Sequence, residues 1–116
     1  MEEIKLFIQN TNQNLESLCK NISNGIDRGQ SLNFARYLSD LPSNQLRPKD
    51  LSLLTKEKFT QLKHTNSTIL DKVELEKQGF GGIIAVGKGS IYEPHLAIFE
   101  YNPPSAKDTI VLIGKG

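Results

Sequence analysis

The sequence predicts an α/β fold in which a mixed sheet is flanked by helices. Short apolar runs that are rich in Ile, Val or Phe and bounded by Gly, Pro or Asn are typical of buried strands. The last third of the chain holds three such runs: Ile83–Val86, Leu96–Phe99 and Ile110–Ile113. Earlier parts of the chain instead carry apolar residues at three- and four-residue spacing, which is the helical period. Helical segments combined with strands in one small chain give a mixed α/β layout.

The N-terminal part predicts a strand followed by a long helical segment. Ile4–Gln9 is a short strand candidate that ends at the polar turn Asn10–Asn12. One apolar stripe then extends over Gln13–Ser39, which predicts one long helix or two abutting helices, because Gly25 and Gly29 weaken the middle. The stripe comprises Leu15, Leu18, Cys19, Ile22, Ile26, Leu32, Ala35 and Leu38.

Prolines mark the boundaries of the next elements. Pro42 ends the first helical segment, and Pro48 opens a second helix, because its missing N–H would have no partner at the first helical position. Asn66–Leu70 is a strand candidate. Asp71 can N-cap a short helix that extends to Lys77, and glycines would close it. The apolar face of the second helix consists of Leu51, Leu54, Phe59 and Leu62.

Composition and charge argue against several classes of function. The chain has 14 basic and 13 acidic residues, and its net charge of +1 predicts no binding to nucleic acid or to an acidic membrane surface. No apolar run approaches the roughly 18–20 residues that span a bilayer, and no signal peptide is visible. The single Cys19 cannot form an internal disulfide, which fits a reducing compartment. We therefore expect a cytoplasmic protein.

Two glycine patterns suggest a nucleotide site, and both are incomplete. Gly82-x4-Gly87-Lys88 lacks the Ser or Thr that a phosphate-binding loop needs next, since position 89 is Gly. A dinucleotide fingerprint starting at Gly87 fails because Tyr92 stands where the third glycine belongs. A strand followed by a tight turn is the preferred interpretation of this stretch.

The histidines and the cysteine predict no catalytic or metal site by themselves. His64 is expected to be exposed at a helix end, and His95 is expected to face solvent at a strand start. Two histidines are too few for a His-rich metal site. Cys19 lies on the helical stripe, where the preferred interpretation is a small core residue.

Five motifs occur along the chain in a fixed order. They are Asp40–Asn44, Leu46–Pro48, Ala85–Ser90, Phe99–Asn102 and Val111–Gly116. Together they resemble the leucyl (cytosol) aminopeptidase family of dinuclear metallopeptidases. That family carries N-x-P-P-N, L-T-P, L-A-V-G-x-G-S, a strand that ends in E-Y, and V-L-V-G-K-G at these places. The chain departs from this pattern by a Ser in the first motif and a Lys in the third.

The resemblance implies a domain organisation and a function. Residues 1–31 would be the end of an N-terminal domain with its connecting helix. Residues 32–116 would be the truncated first part of a catalytic domain with a phosphorylase/hydrolase-like fold. In the family this domain removes N-terminal residues from peptides with two divalent metal ions, Zn or Mn, and the subunits form homohexamers.

By the same resemblance, Lys115 matches a lysine that ligates one of the two metal ions. An amine binds a metal only when it is neutral, which burial and a nearby dication favour. The Asp and Glu ligands that follow in the family are absent from this sequence. Since a dinuclear hydrolase holds its ions with carboxylates, we expect this chain alone to bind no catalytic metal and to hydrolyse nothing.

Two other hypotheses concern the chain on its own. The sheet would be unfinished at Ile110–Ile113, and an exposed apolar edge strand favours aggregation. The isolated chain would then be a poorly folded product of a truncated reading frame. Alternatively, the chain is an assembly module, the non-catalytic half of a split enzyme that docks with a separately encoded second half.

Overall fold

The computed structural model describes residues 5, 7 and 14–116. These residues form two compact units, the first ending at Asp40 and the second spanning Leu41–Gly116. The order of elements is α1 (Leu15–Asp40), α2 (Pro48–Thr60), β1 (Thr65–Leu70), α3 (Lys72–Lys77), α4 (Gly81–Gly87) and β2 (Leu96–Tyr101). Helices with a small sheet confirm the predicted α/β class. The strand candidate Ile4–Gln9 falls, except for two residues, outside the described part of the chain.

Helix α1 is continuous across both of its glycines. The helix therefore has the single-helix form of the prediction and not the two-helix form. At its start, the Glu16 amide donates to Asn14 Oδ1 at 3.0 Å. None of its residues is buried, and Cys19 is exposed. The expectation that Cys19 is a core residue is therefore wrong, because no other described element of this unit covers the apolar stripe.

The second unit is built on an antiparallel pair of strands. β1 and β2 pair from Thr65 opposite Tyr101 to Leu70 opposite Leu96, which confirms both strand predictions. Helix α2, which begins at Pro48 as predicted, packs on this pair. The Phe59 and Phe99 ring centroids are 4.7 Å apart, and Thr65 Oγ1 donates to the Phe59 carbonyl at 2.8 Å.

The turn between α2 and β1 is fixed at His64. His64 is exposed, as predicted, and has a positive φ of 61°. Its carbonyl accepts a hydrogen bond from the Asn102 amide at 2.8 Å, which ties this turn to the end of β2. His95 is half-buried and not fully solvent-facing, and its Nδ1 lies 3.1 Å from the Glu93 carbonyl.

The core lies where β1 leads into α3. Asp71 caps the helix as predicted, since its Oδ1 accepts a hydrogen bond from the Glu74 amide at 3.0 Å. Leu75 on this helix is fully buried, and Leu70 at the end of β1 is 4% exposed. Gly79 has φ +78° and follows the end of α3, a conformation that glycine adopts without steric cost.

The apolar run Ile83–Val86 is helical, so the strand prediction there is wrong. It forms the middle of α4, where the Ile83 and Ile84 amides both donate to the Phe80 carbonyl, at 3.1 and 3.2 Å. The two isoleucines are half-buried, whereas the next two residues are exposed. A strand would instead bury alternate residues. Four apolar residues are too few to distinguish the two periods.

The run Ile110–Ile113 also lacks the predicted strand. Its residues have no regular structure and are between 73% and 94% exposed. A strand needs a neighbour for its backbone hydrogen bonds, and the sheet in the described part of the chain consists of β1 and β2 alone. Without such a partner, the apolar composition of the run does not produce a strand.

Candidate metal-ligating segment

The predicted ligand Lys115 lies near the end of an exposed segment without regular structure. Residues 108–116 contain no helix or strand, and Lys115 itself is exposed. The segment nevertheless has a defined place in the second unit. A Cβ built on Gly116 would lie 3.0 Å from Leu51 Cδ2, so the end of the segment lies against helix α2.

A groove separates this segment from strand β2. It has a volume of about 610 Å³. One wall is β2 from Leu96 to Tyr101, and the other wall includes residues 108–114. Glu100 and Asp108 supply the carboxylates of the lining, while apolar side chains supply much of the rest. The structure thus places the fourth and fifth sequence motifs on opposite sides of one groove.

The loop after the third motif contacts residues of both the second and the third motif. The Arg47 guanidinium carbon lies 4.5 Å from the centroid of the Tyr92 ring, a cation–π arrangement. A Cβ on Gly87 would lie 2.9 Å from Pro94 Cγ, so only glycine fits where α4 meets the following loop. Neither Tyr92 nor Pro94 carries a sequence signal for these contacts, because their partners Arg47 and Gly87 are not immediate neighbours in the chain.

The described residues do not form a dinuclear metal site. Residues 5, 7 and 14–116 contain no group of three or more His, Cys, Asp and Glu side chains that could hold a metal ion. Two dications need several carboxylate ligands, and a single exposed lysine adds no negative charge. The described residues alone therefore do not fit a pair of metal ions.

Comparison with known proteins explains why these motifs occur together. Residues 33–116 match the sequence profile of the cytosol aminopeptidase family, catalytic domain. The chain belongs to this family. The matched region contains α2, both strands, both short helices and the segment that carries Lys115. No solved structure matches the chain significantly.

Several curated relatives of this family member are similar over most of its length. A probable cytosol aminopeptidase of Corynebacterium glutamicum is 42% identical over 88 residues, covering 75% of this chain and 17% of the relative. A probable cytosol aminopeptidase of Metamycoplasma salivarium is 31% identical over 123 residues, covering 97% of this chain and 24% of the relative. A probable cytosol aminopeptidase of Chlorobaculum tepidum is 35% identical over 113 residues, covering 97% of this chain and 22% of the relative. The family member described here thus spans less than a quarter of the length of these relatives.

None of the helices in the described ranges has both the length and the apolar composition needed to cross a membrane.

Proposed function

We propose that this chain is the first part of the catalytic domain of a metal-dependent aminopeptidase, whose substrates are peptides with a free N-terminus. The match of residues 33–116 to the catalytic domain of the cytosol aminopeptidase family is the observation that carries this proposal. Residues 32–116 are the proposed catalytic segment, and residues 1–31 are the proposed end of the preceding domain. A cytoplasmic location, a pair of Zn or Mn ions and a hexameric assembly are parts of the same proposal.

Within this function, Lys115 is the proposed metal ligand of the segment. Its support is the sequence Val111–Gly116, which ends the family match. The segment provides one ligand, and carboxylates from elsewhere in a complete catalytic domain would provide the others. We infer that the chain on its own is inactive, because the described residues lack a cluster of metal-binding side chains.

A chimera tests the function and the ligand together. The chain replaces the aligned segment of the Metamycoplasma salivarium relative, with which it shares 31% identity over 123 residues. We expect this chimera to release leucine from a chromogenic leucyl amide in the presence of Mn²⁺ or Zn²⁺. The unfused chain, assayed under the same conditions, is expected to release none.

The chain offers a matched control for Lys115. Lys88 is also a lysine between two glycines. In the chimera, Lys115→Ala is expected to lower kcat/KM by at least about 100-fold and to lower the bound metal content. Loss of a residue that only supports a metal ligand already costs up to about 100-fold in activity, and loss of a ligand should cost at least as much. Lys88→Ala is expected to leave both close to their starting values. Equal losses from the two substitutions would refute the ligand assignment, and hydrolysis by the unfused chain would refute its inactivity.

The split-enzyme alternative is favoured by one observation, the exposed apolar run Ile110–Ile113 beside a sheet edge that no described strand covers. In that case the unfused chain, mixed with the remaining part of the Metamycoplasma salivarium relative as a separate polypeptide, would restore hydrolysis. An inactive mixture beside an active chimera would exclude this alternative.

A further inference from the structure

The segment 108–116 lies against helix α2 at Leu51. A Cβ built on Gly116 would lie 3.0 Å from Leu51 Cδ2, which is shorter than the roughly 3.5–4.0 Å of an ordinary contact between two carbon atoms. A Cβ on Gly114, on the other side of Lys115, would meet no atom within 4 Å. The two glycines that flank Lys115 therefore differ in the space around them.

We propose that Leu51 is a positioning residue, whose δ-methyl group supports the Gly116 backbone and so fixes the position of Lys115. This inference rests on the proposed function, in which Lys115 is a ligand. Glycine is required at position 116 because any other residue would place its Cβ too close to Leu51. A left-handed backbone is not the reason, since Gly79 is the only glycine with a positive φ in the described part of the chain.

The first turn of α2 holds the Leu51 backbone through local hydrogen bonds. The Leu51 amide donates to the Arg47 carbonyl at 3.0 Å, and the Arg47 amide donates to Asp50 Oδ2 at 3.1 Å. Ser52 is only 4% exposed, and its Oγ donates to the Pro48 carbonyl at 2.9 Å. Pro48 has a fixed φ that suits the first helical position. These contacts define the backbone from which the Leu51 side chain extends.

The other end of α2 is joined to the sheet. The Phe59 ring centroid lies 4.7 Å from that of Phe99 on β2, and Thr65 Oγ1 on β1 donates to the Phe59 carbonyl at 2.8 Å. Leu51 therefore belongs to a helix that is held at both ends, whereas residues 108–116 contain no helix or strand. A contact with such a helix limits where an irregular segment can lie.

A methyl group at position 116 is expected to displace Lys115. The 3.0 Å distance falls short of an ordinary carbon contact by about 0.5–1 Å. A helical leucine has two common side-chain directions, and intermediate directions cost energy, so we expect part of the displacement to fall on the backbone at position 116. Since consecutive Cα atoms are only about 3.8 Å apart, this shift reaches Lys115. A misplacement of about 1 Å in an active site can cost on the order of 100-fold in rate.

The chimera with the Metamycoplasma salivarium relative tests this role, with the two glycines as a matched pair. Gly116→Ala is expected to lower kcat/KM at least about tenfold. Gly114→Ala is expected to lower it less than about twofold, because its methyl group enters open space. The midpoint of urea unfolding is expected to be the same for both variants, which separates a positioning effect from a loss of stability. Equal losses of kcat/KM would overturn the proposal.

Truncation of Leu51 tests whether this side chain is the cause. Leu51→Ala frees the space that a methyl group at position 116 needs. The kcat/KM of the double variant Leu51→Ala/Gly116→Ala is therefore expected to exceed, by at least about threefold, the value that the two single effects predict together.

Leu54→Ala is the control for this rescue. Leu54 is half-buried in the same helix, as Leu51 is, and no atom of Leu54 lies within 4 Å of the Cβ position at Gly116. The effects of Leu54→Ala and Gly116→Ala are expected to be additive. Additive effects in both pairs would refute the role of Leu51.

A measurement on the unfused chain separates the contact from the function. With isotope-labelled leucine methyl groups, a nuclear Overhauser effect is expected between a Leu51 methyl group and the Gly116 α protons, and it needs neither metal nor substrate. Its absence would refute the role of Leu51, even beside an active chimera. If the effect is observed and the unsubstituted chimera is inactive, the proposed function fails and the role of Leu51 fails with it. An active chimera that has the contact but shows no difference between the glycines would refute the positioning role alone.

Discussion

The tripeptide Gly-Lys-Gly occurs at Gly87–Gly89 and at Gly114–Gly116, and the first glycines of the two copies have different surroundings. At the first copy, a Cβ on Gly87 would lie 2.9 Å from the Pro94 ring, whereas a Cβ on Gly114 would meet no atom within 4 Å. The first copy begins at Gly87, the last residue of α4, which packs against Pro94. The second ends an exposed segment and carries the proposed metal ligand. An identical tripeptide therefore indicates a function only together with the sequence before it and the residues that contact it.

The largest difference between the two regions is expected in core packing. Leu75 is fully buried before the first copy, and Leu112 is 91% exposed before the second. Leu75→Ala should lower the free energy of unfolding by about 2–5 kcal/mol, because it removes buried methyl groups and leaves a cavity. Leu112→Ala should change it by less than about 0.5 kcal/mol, because the Leu112 side chain is already exposed. Urea unfolding followed by circular dichroism measures both, and similar losses would contradict the comparison.

Sequence predicted those elements whose signals are local. Pro48 fixed the start of α2, and Asp71 fixed the cap of α3. The three apolar runs are equivalent as sequences, yet only Leu96–Phe99 forms a strand, because β1 pairs with it in a defined register. The availability of a partner strand is a property of the whole fold, so composition cannot reveal it. The run Ile110–Ile113 has no partner strand and no regular structure, and the run Ile83–Val86 lies within α4.

The candidate site was predictable only in part, for a related reason. Lys115 is predicted from the resemblance to a family, and it lies within residues 33–116, which match the family's catalytic domain. Its role as a ligand stays a prediction, because the described residues bring no cluster of metal-binding side chains together. A metal site depends on residues from several elements, and one segment identifies only the ligand that it carries.

The second prediction concerns the two glycines that precede the lysines. Gly87→Ala places a methyl group within 3.2 Å of three atoms of the Pro94 ring. A ring closed onto the backbone cannot swing away, so we expect a loss of about 1–3 kcal/mol in the free energy of unfolding. Gly114→Ala is the control and should cost less than about 0.5 kcal/mol, because its Cβ enters open space. Equal stability of the two variants would show that the loop around Pro94 is not tightly packed.

The smallest expected effect is that of the contact between Arg47 and Tyr92, in the loop that follows Gly87–Gly89. The Arg47 guanidinium lies 4.5 Å from the Tyr92 ring centroid, and the ring is 37% exposed. A partly exposed cation–π pair contributes about 0.5–1 kcal/mol. A double-mutant cycle with Arg47→Gln and Tyr92→Leu should measure a coupling of about that size, while Arg47→Lys, which keeps a cation, should retain part of it. The Arg47 backbone amide donates to Asp50 Oδ2 at 3.1 Å. Since this bond does not use the Arg47 side chain, we expect the start of α2 to be preserved throughout the cycle. If the effects of the two substitutions are additive, the cation–π pair does not stabilise this loop, and the contrast between the two tripeptides does not depend on it.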